Sequence, residues 1–256
     1  MNNRSQNGFS FLKYALILFY VVFLIVPLCI MLSNIRNADI KETFTSISFI
    51  NALRNSIFSS VIATSVSVLL SLTAALCIRR TDIKIKNVFL TVFTLPMLLP
   101  SVSHAFGLIL LFGSNGILTR LLHIPGNIYG FYGVVGALVL YSFPLGTLMF
   151  YDVLRYEDYT QYESASVLGI SKTRQFISIT LPFLKKPLLT VFFAVFTMTF
   201  TDYGVPLMIG SKYITLPVIM YNEVIGMLDF AKGSVIALIL LLPSLLLFFI
   251  NKRNIT

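Results

Sequence analysis

The stretch YALILFYVVFLIVPLCIML, residues 14–32, carries no charge over nineteen residues. An α-helix of about 20 apolar residues crosses the hydrocarbon core of a bilayer, so this segment reads as a membrane span. The composition agrees. Of 256 residues, 57% are hydrophobic and 11% charged, with a mean hydropathy of +0.87; a soluble domain carries about 25% charged residues. A water-soluble fold of this size lacks the charges for its surface, and the chain is read as an integral membrane protein. Its length allows roughly five to seven spans. That is short for a twelve-helix secondary carrier, so a complete transporter needs a second copy or a partner. No small-residue cleavage site follows the first span, so it is read as an anchor rather than a cleavable signal.

Outward from that segment, six apolar runs read as helices, at about 14–33, 56–78, 88–112, 132–151, 187–206 and 233–250. They are too long for strands and show no two-residue alternation, which predicts an all-α membrane protein with one transmembrane domain over residues 1–256. Basic residues set the orientation. One set of loops holds Arg4, Lys13, Arg79, Arg80, Lys84, Lys86, Arg155, Lys172, Arg174, Lys185, Lys186, Lys252 and Arg253; the other holds Arg36, Lys41, Arg54, Arg120, Lys212 and Lys232. Thirteen against six places the first set and both termini on the cytoplasmic side. The net charge of +9 is accounted for by these flanks and does not suggest nucleic acid. Cys29 and Cys77 fall late in spans of opposite direction, too far apart for a disulfide, and read as packing residues. Trp is absent, so the 12 tyrosines supply any interfacial belt.

Between spans, SISFINALR (46–54) has Ile47, Ile50 and Leu53 at helical spacing and is predicted to lie on the membrane surface. Residues 112–130 read as a turn, a short helix and a second turn. Pro96 and Pro100 predict a kinked third span, either structural or lining a pathway. His104 reads as a hydrogen-bonded packing residue. His123 has no Cys, Asp or second His at ligand spacing, so no metal site is expected. No nucleophile elbow or zinc-binding His pair is present. LGISKT (168–173) lacks the glycines of a phosphate loop, so no cofactor is expected and the chain is not read as an enzyme.

The one sizeable charged stretch is residues 152–186, DVLRYEDYTQYESASVLGISKTRQFISITLPFLKK. Tyr159, Tyr162, Ser166 and Gly169 fall at spacings of three and four, predicting a helix over about 158–168 with a face of small and aromatic residues. Gly169 suits a left-handed cap. Small residues on an exposed helix face are what a partner needs for close approach. A second short helix carries Phe176, Ile177 and Ile179 before Leu181-Pro182 turns the chain into span five.

The order Glu163, Ala165, Gly169, Ile179, Leu181, Pro182 at these spacings resembles the EAA loop of binding-protein-dependent ABC transporter permeases. Six such residues coincide by chance on the order of once in ten thousand chains. Ser164 stands where that family usually has its first Ala, a small-for-small exchange. Residues 51–80 and 94–119 look like the family's second span and its proline-containing third span. The resemblance implies a type I ABC importer permease of six helices. It also implies that a coupling helix carrying Glu163, Ala165 and Gly169 docks on a separate ATPase subunit. An extracytoplasmic solute-binding protein and a second permease copy or half complete the implied assembly, in the inner membrane of a bacterium. The abrupt end after Lys252-Arg253 also suits one half of a tandem pair.

Residues 200–234 resemble permeases for ferric iron, thiamine and 2-aminoethylphosphonate. Within them, Asp202 is placed in the outer third of span five, where a carboxylate either faces a watery pathway or reaches interfacial water at the helix end. The rival classes are a membrane-embedded enzyme, which needs clustered polar residues at membrane depth, and an ATP-independent channel or secondary carrier, which has no use for the Glu-Ala-Gly loop.

Overall fold

The structure is a computed structural model describing residues 3–81, 86–123 and 127–255. The chain runs through α1 (Asn3–Tyr20), a π-helical turn, α2 (Val26–Asn34), α3 (Ile40–Thr45) and α4 (Ile47–Arg80). Next come α5 (Lys86–Thr94), α6 (Ser101–Phe112), α7 (Ile117–Leu122) and α8 (Phe131–Leu154). The remainder is α9 (Thr160–Val167), α10 (Lys172–Gln175), α11 (Leu181–Phe200), α12 (Gly204–Ile209), α13 (Leu216–Tyr221) and α14 (Phe230–Ile255). Among the described residues, six helical stretches are long and apolar enough to cross a membrane, the number predicted from sequence: Leu12–Asn37, Ile47–Arg80, Ser101–Leu122, Phe131–Leu154, Lys172–Phe200 and Phe230–Phe249.

A stripe of small residues on α4 organises the bundle. Ser56, Ser60, Ala63, Ser67, Ser71 and Ala75 recur every three or four positions and are all buried. Lipid provides no hydrophobic force between helices, so close backbone approach and polar contacts hold them together. Against α8, the Ser67 and Ser142 hydroxyls lie 2.7 Å apart, and the Ser71 hydroxyl donates to the Phe143 carbonyl at 2.9 Å. Thr64 and Thr199 tie α4 to α11 through their hydroxyls at 3.1 Å. A methyl group at Gly146 on α8 would sit 2.5 Å from the Ser71 oxygen, so only glycine fits this seam. Apolar clusters fill the space around it. Ala63, Ala105, Val134, Leu138, Val205 and Ile209 join α4, α6, α8 and α12; Val68, Phe150, Leu154, Leu184 and Val191 join α4, α8 and α11 nearer the other end.

Several sequence expectations change. SISFINALR is no separate surface helix but the first turns of α4, opened by Ser46, whose hydroxyl accepts the Phe49 N–H at 3.2 Å. At 34 residues α4 is about 51 Å long, well over the ~30 Å core, and its buried face here is Phe49 and Ala52 rather than the isoleucines. The third span is broken, not kinked. After α5 a 3-10 turn runs over Leu95–Leu98, Leu99 is extended at ψ 142, and the helix restarts at Ser101. The ring of Pro100 excludes Leu99 from helical geometry. Conversely, Leu181-Pro182 makes no turn: a π-helical turn over Phe176–Thr180 leads α10 directly into α11. There the Leu181 N–H reaches the Phe176 carbonyl. Cys29 and Cys77 are exposed, not packed. The 112–130 segment holds α7 between turns, with His123 and Gly130 at positive φ; its residues 124–126, like Lys84, lie outside the described residues.

Candidate functional site

The segment from Arg155 to Ser171 lies at the end of the bundle where α4 and α8 finish. Asp158 opens α9: its carboxylate accepts the Thr160 N–H at 3.0 Å and the Thr160 hydroxyl at 2.8 Å. These bonds, the backbone one foremost, hold its pKa below the ordinary carboxylate value. At the other end Gly169 adopts φ +73. The Ile170 N–H reaches the Ala165 carbonyl and the Gly169 N–H the Ser166 carbonyl, both at 3.0 Å. That pair is a Schellman motif, and the glycine cap forms where the sequence predicts it.

The predicted face turns inward only in part: Tyr159, Ser166 and Gly169 are exposed and Tyr162 is half-buried. Tyr162 points into the bundle end, the Ser166 hydroxyl accepts from the Gln175 side chain at 3.2 Å, and Ala165 is only 6% exposed. The open face of α9 carries Glu163 and Ser164, followed by Val167 and Leu168, which are 88% and 76% exposed. Of the residues singled out by resemblance, Glu163 and Gly169 are therefore free, while the Ala165 methyl is covered by its own chain. Small residues allow close approach on either side of a helix, and periodicity alone does not say which side is covered.

What covers the inner side is a polar knot that the sequence did not single out. The Arg80 Nη2, at the end of α4, lies 2.9 and 3.1 Å from the Glu157 carboxylate oxygens. It also lies 2.8 Å from both the Tyr162 hydroxyl and the Thr180 hydroxyl. Tyr162 donates to Glu157 and stands 2.7 Å from Thr180. The Arg80 guanidinium also sits 5.0 Å from the centre of the Tyr162 ring. Burial, and next the bond to Glu157, raises the phenol pKa, which keeps Tyr162 a donor.

Asp202 lies in the break between α11 and α12, not within a spanning helix. Its carboxylate accepts the Val205 N–H at 2.9 Å, with the Ser101 side chain near it, a capping role that favours ending one helix and starting the next. His104 is near enough to act on it electrostatically. The His104 ring stands edge-on to Tyr141 with centroids 5.6 Å apart, and its Nε2 is buried without a hydrogen-bond partner among the described residues. Polar residues of α6, α8 and the α11–α12 break thus converge. Among the described residues, no three His, Cys, Asp or Glu side chains gather to hold a metal.

Residues 67–254 match the family described as binding-protein-dependent transport system inner membrane component. The thiamine transport system permease protein ThiP of Haemophilus influenzae is 27% identical over 175 residues, covering 66% of this chain and 32% of that protein. The probable transport system permease protein NifC of Clostridium pasteurianum is 25% identical over 264 residues, covering 98% of this chain and 92% of that one. The chain spans about a third of the length of the first curated relatives it matches. The crystal structure of a bacterial alginate ABC transporter in complex with alginate pentasaccharide-bound periplasmic protein contains a chain of the same fold. It has a TM-score of 0.74 at 15% identity, covering 99% of this chain and 97% of that one. The family match takes in five of the six membrane-crossing helices in whole or part, together with the α9 segment and Asp202. This chain belongs to the binding-protein-dependent transport system inner membrane component family.

Proposed function

We propose that the chain is the transmembrane permease subunit of an ATP-driven ABC importer, catalysing no chemistry itself. One observation carries the reading: α9 is held at the end of the bundle, capped by Gly169, with Glu163, Val167 and Leu168 left open for a partner. In this reading ATP binding closes two ATPase subunits, α9 moves with them, and the bundle opens toward a solute-binding protein outside. The path runs between this chain and a second permease copy or half. The thirteen-to-six distribution of basic residues supports placing α9 and both termini in the cytoplasm of a bacterial cell.

Asp202 is the proposed charged group on the pathway side, supported by its convergence with Ser101, His104 and Tyr141. Its charge disfavours bare anions such as sulfate, although a sulfate permease is among the relatives. It favours solutes bearing positive charge: ferric iron, thiamine or an aminophosphonate, each named among the relatives. The test is reconstitution in liposomes with an ABC ATPase and a solute-binding protein of the same organism, offering thiamine, ferric iron, 2-aminoethylphosphonate and sulfate in turn. ATP-dependent, binding-protein-dependent uptake of one of them is expected. Equal uptake without ATP would replace the importer with a channel or secondary carrier.

A further inference from the structure

We propose that Arg80, Glu157, Tyr162 and Thr180 form a clamp that makes α9 move as one body with α4 and α11, so that ATPase motion reaches the membrane helices instead of being absorbed by the loop. The proposal rests on the permease reading. Its four members come from four separate places: the last residue of α4, the loop after α8, the body of α9, and the end of the π-helical turn that opens α11. The Arg80 terminal nitrogen has two protons and four oxygens within 3.1 Å, so the oxygens must share them. The Tyr162 proton on Glu157 and the contact of Thr180 with Tyr162 close the set.

The burial of two of its members distinguishes this knot from a solvated surface ion pair, which holds little. The Glu157 side chain is 2% exposed and Thr180 is fully buried, while the Arg80 side chain is 29% exposed and Tyr162 is half-buried. A buried polar network is rigid when every member is satisfied and costly when one is removed. The Arg79 guanidinium also lies 5.7 Å from the centre of the Tyr159 ring. The other ties of the loop include local hydrogen bonds, Gln175 to Ser166 and Ile170, and Ser166 to the carbonyl of Tyr162. Tyr162 is the side chain through which α9 itself reaches both α4 and the start of α11. From Thr180, α11 runs unbroken for 20 residues to Phe200, about 30 Å, and ends two residues before Asp202. The clamp and the polar convergence at Asp202 therefore stand at opposite ends of one helix, a direct mechanical route from α9 to the proposed pathway.

The test uses the reconstituted complex and the solute that the wild-type complex takes up from the four offered above. Tyr162→Phe, Thr180→Val and Glu157→Gln are compared for recovery of the ATPase subunit, ATP hydrolysis, and solute moved per ATP. Each variant should keep ATPase recovery and hydrolysis within about twofold of wild type while solute per ATP falls about fivefold or more, the scale of one ordinary hydrogen bond. Thr180→Ser, which keeps the hydroxyl, should couple normally, and Tyr162→Phe combined with Thr180→Val should be no worse than either alone. An unchanged ratio in all three single variants overturns the clamp, as does loss of the ATPase subunit from them, which would make the knot a support for docking only. A wild-type chain that binds no ATPase overturns the permease reading, and the clamp with it.

Discussion

Gly169→Asn separates a glycine required by its own backbone from one required by a partner. Gly169 has φ +73, and a Cβ added there would meet no atom of this chain within 4 Å beyond its two chain neighbours. Within the chain the cost of substitution is therefore conformational only. An L-residue loses about 1–2 kcal/mol in the left-handed region, and asparagine visits that region more readily than alanine. If the position serves only the Schellman turn, alanine should be the worst tolerated and asparagine nearly harmless. If the Gly169 end of α9 seats against an ATPase subunit, the ranking reverses. Alanine then adds one methyl group plus that strain, whereas asparagine fills the space of the partner, and aspartate adds a charge that would be buried. The assay is co-purification of the ATPase subunit with each tagged variant, beside thermal melting of the permease in detergent. Asparagine and aspartate are expected to lower ATPase recovery about tenfold, the equivalent of about 1.4 kcal/mol, with melting close to wild type. Better recovery with asparagine than with alanine would refute docking at this residue.

Four further outcomes are expected. Gly146→Ala should lower the melting temperature by forcing a methyl group to 2.5 Å from the Ser71 oxygen, an overpacking cost of about 1–3 kcal/mol; adding Ser71→Gly should recover part of it, and no shift in either variant would contradict the seam. Asp202→Asn keeps a side-chain oxygen for the Val205 N–H and removes only the charge, worth roughly 4 kcal/mol to a unit charge about 4 Å away before desolvation. Uptake should slow several-fold with ATPase activity retained, and unchanged uptake would leave Asp202 a helix cap alone. With the exposed Cys29 and Cys77 replaced, a cysteine at Asn115 should react with an impermeant thiol reagent from outside and one at Ser171 only from inside; the reverse pattern would invert the topology. Because the folded-state pKa of Asp158 is depressed, its hold on the Thr160 amide is present above the ordinary carboxylate pKa and lost as pH falls through the lower folded value. Amide protection at Thr160 should therefore persist down to about pH 4, and loss near neutral pH would argue against the bond.

Much of the molecule was legible in the chain because the bilayer makes strict demands. A segment such as 14–32 must be helical, since lipid cannot satisfy its backbone, and six such runs announce six crossings. The Gly169 cap was legible for a similar reason: positive φ belongs to few residues, and the helical pattern ends there. Element ends were less legible. Whether a proline breaks a helix, as Pro100 does, or is carried through it, as Pro182 is, depends on whether neighbouring turns can rearrange their hydrogen bonds. The direction of a face was not legible at all. Tyr162, Ser166 and Ala165 lie on one side of α9 by spacing alone, but only Arg80, Glu157 and Thr180, brought from positions far along the chain, decide that Tyr162 and Ala165 are turned inward while Ser166 stays exposed. Ser101, His104, Tyr141 and Asp202 likewise read as scattered polar residues until the breaks at Pro100 and Asp202 let α6 and α12 pack together. Periodicity along one helix follows from local geometry and can be read from sequence, whereas which face meets which neighbour depends on side-chain fit across helices and exists only once the bundle has packed.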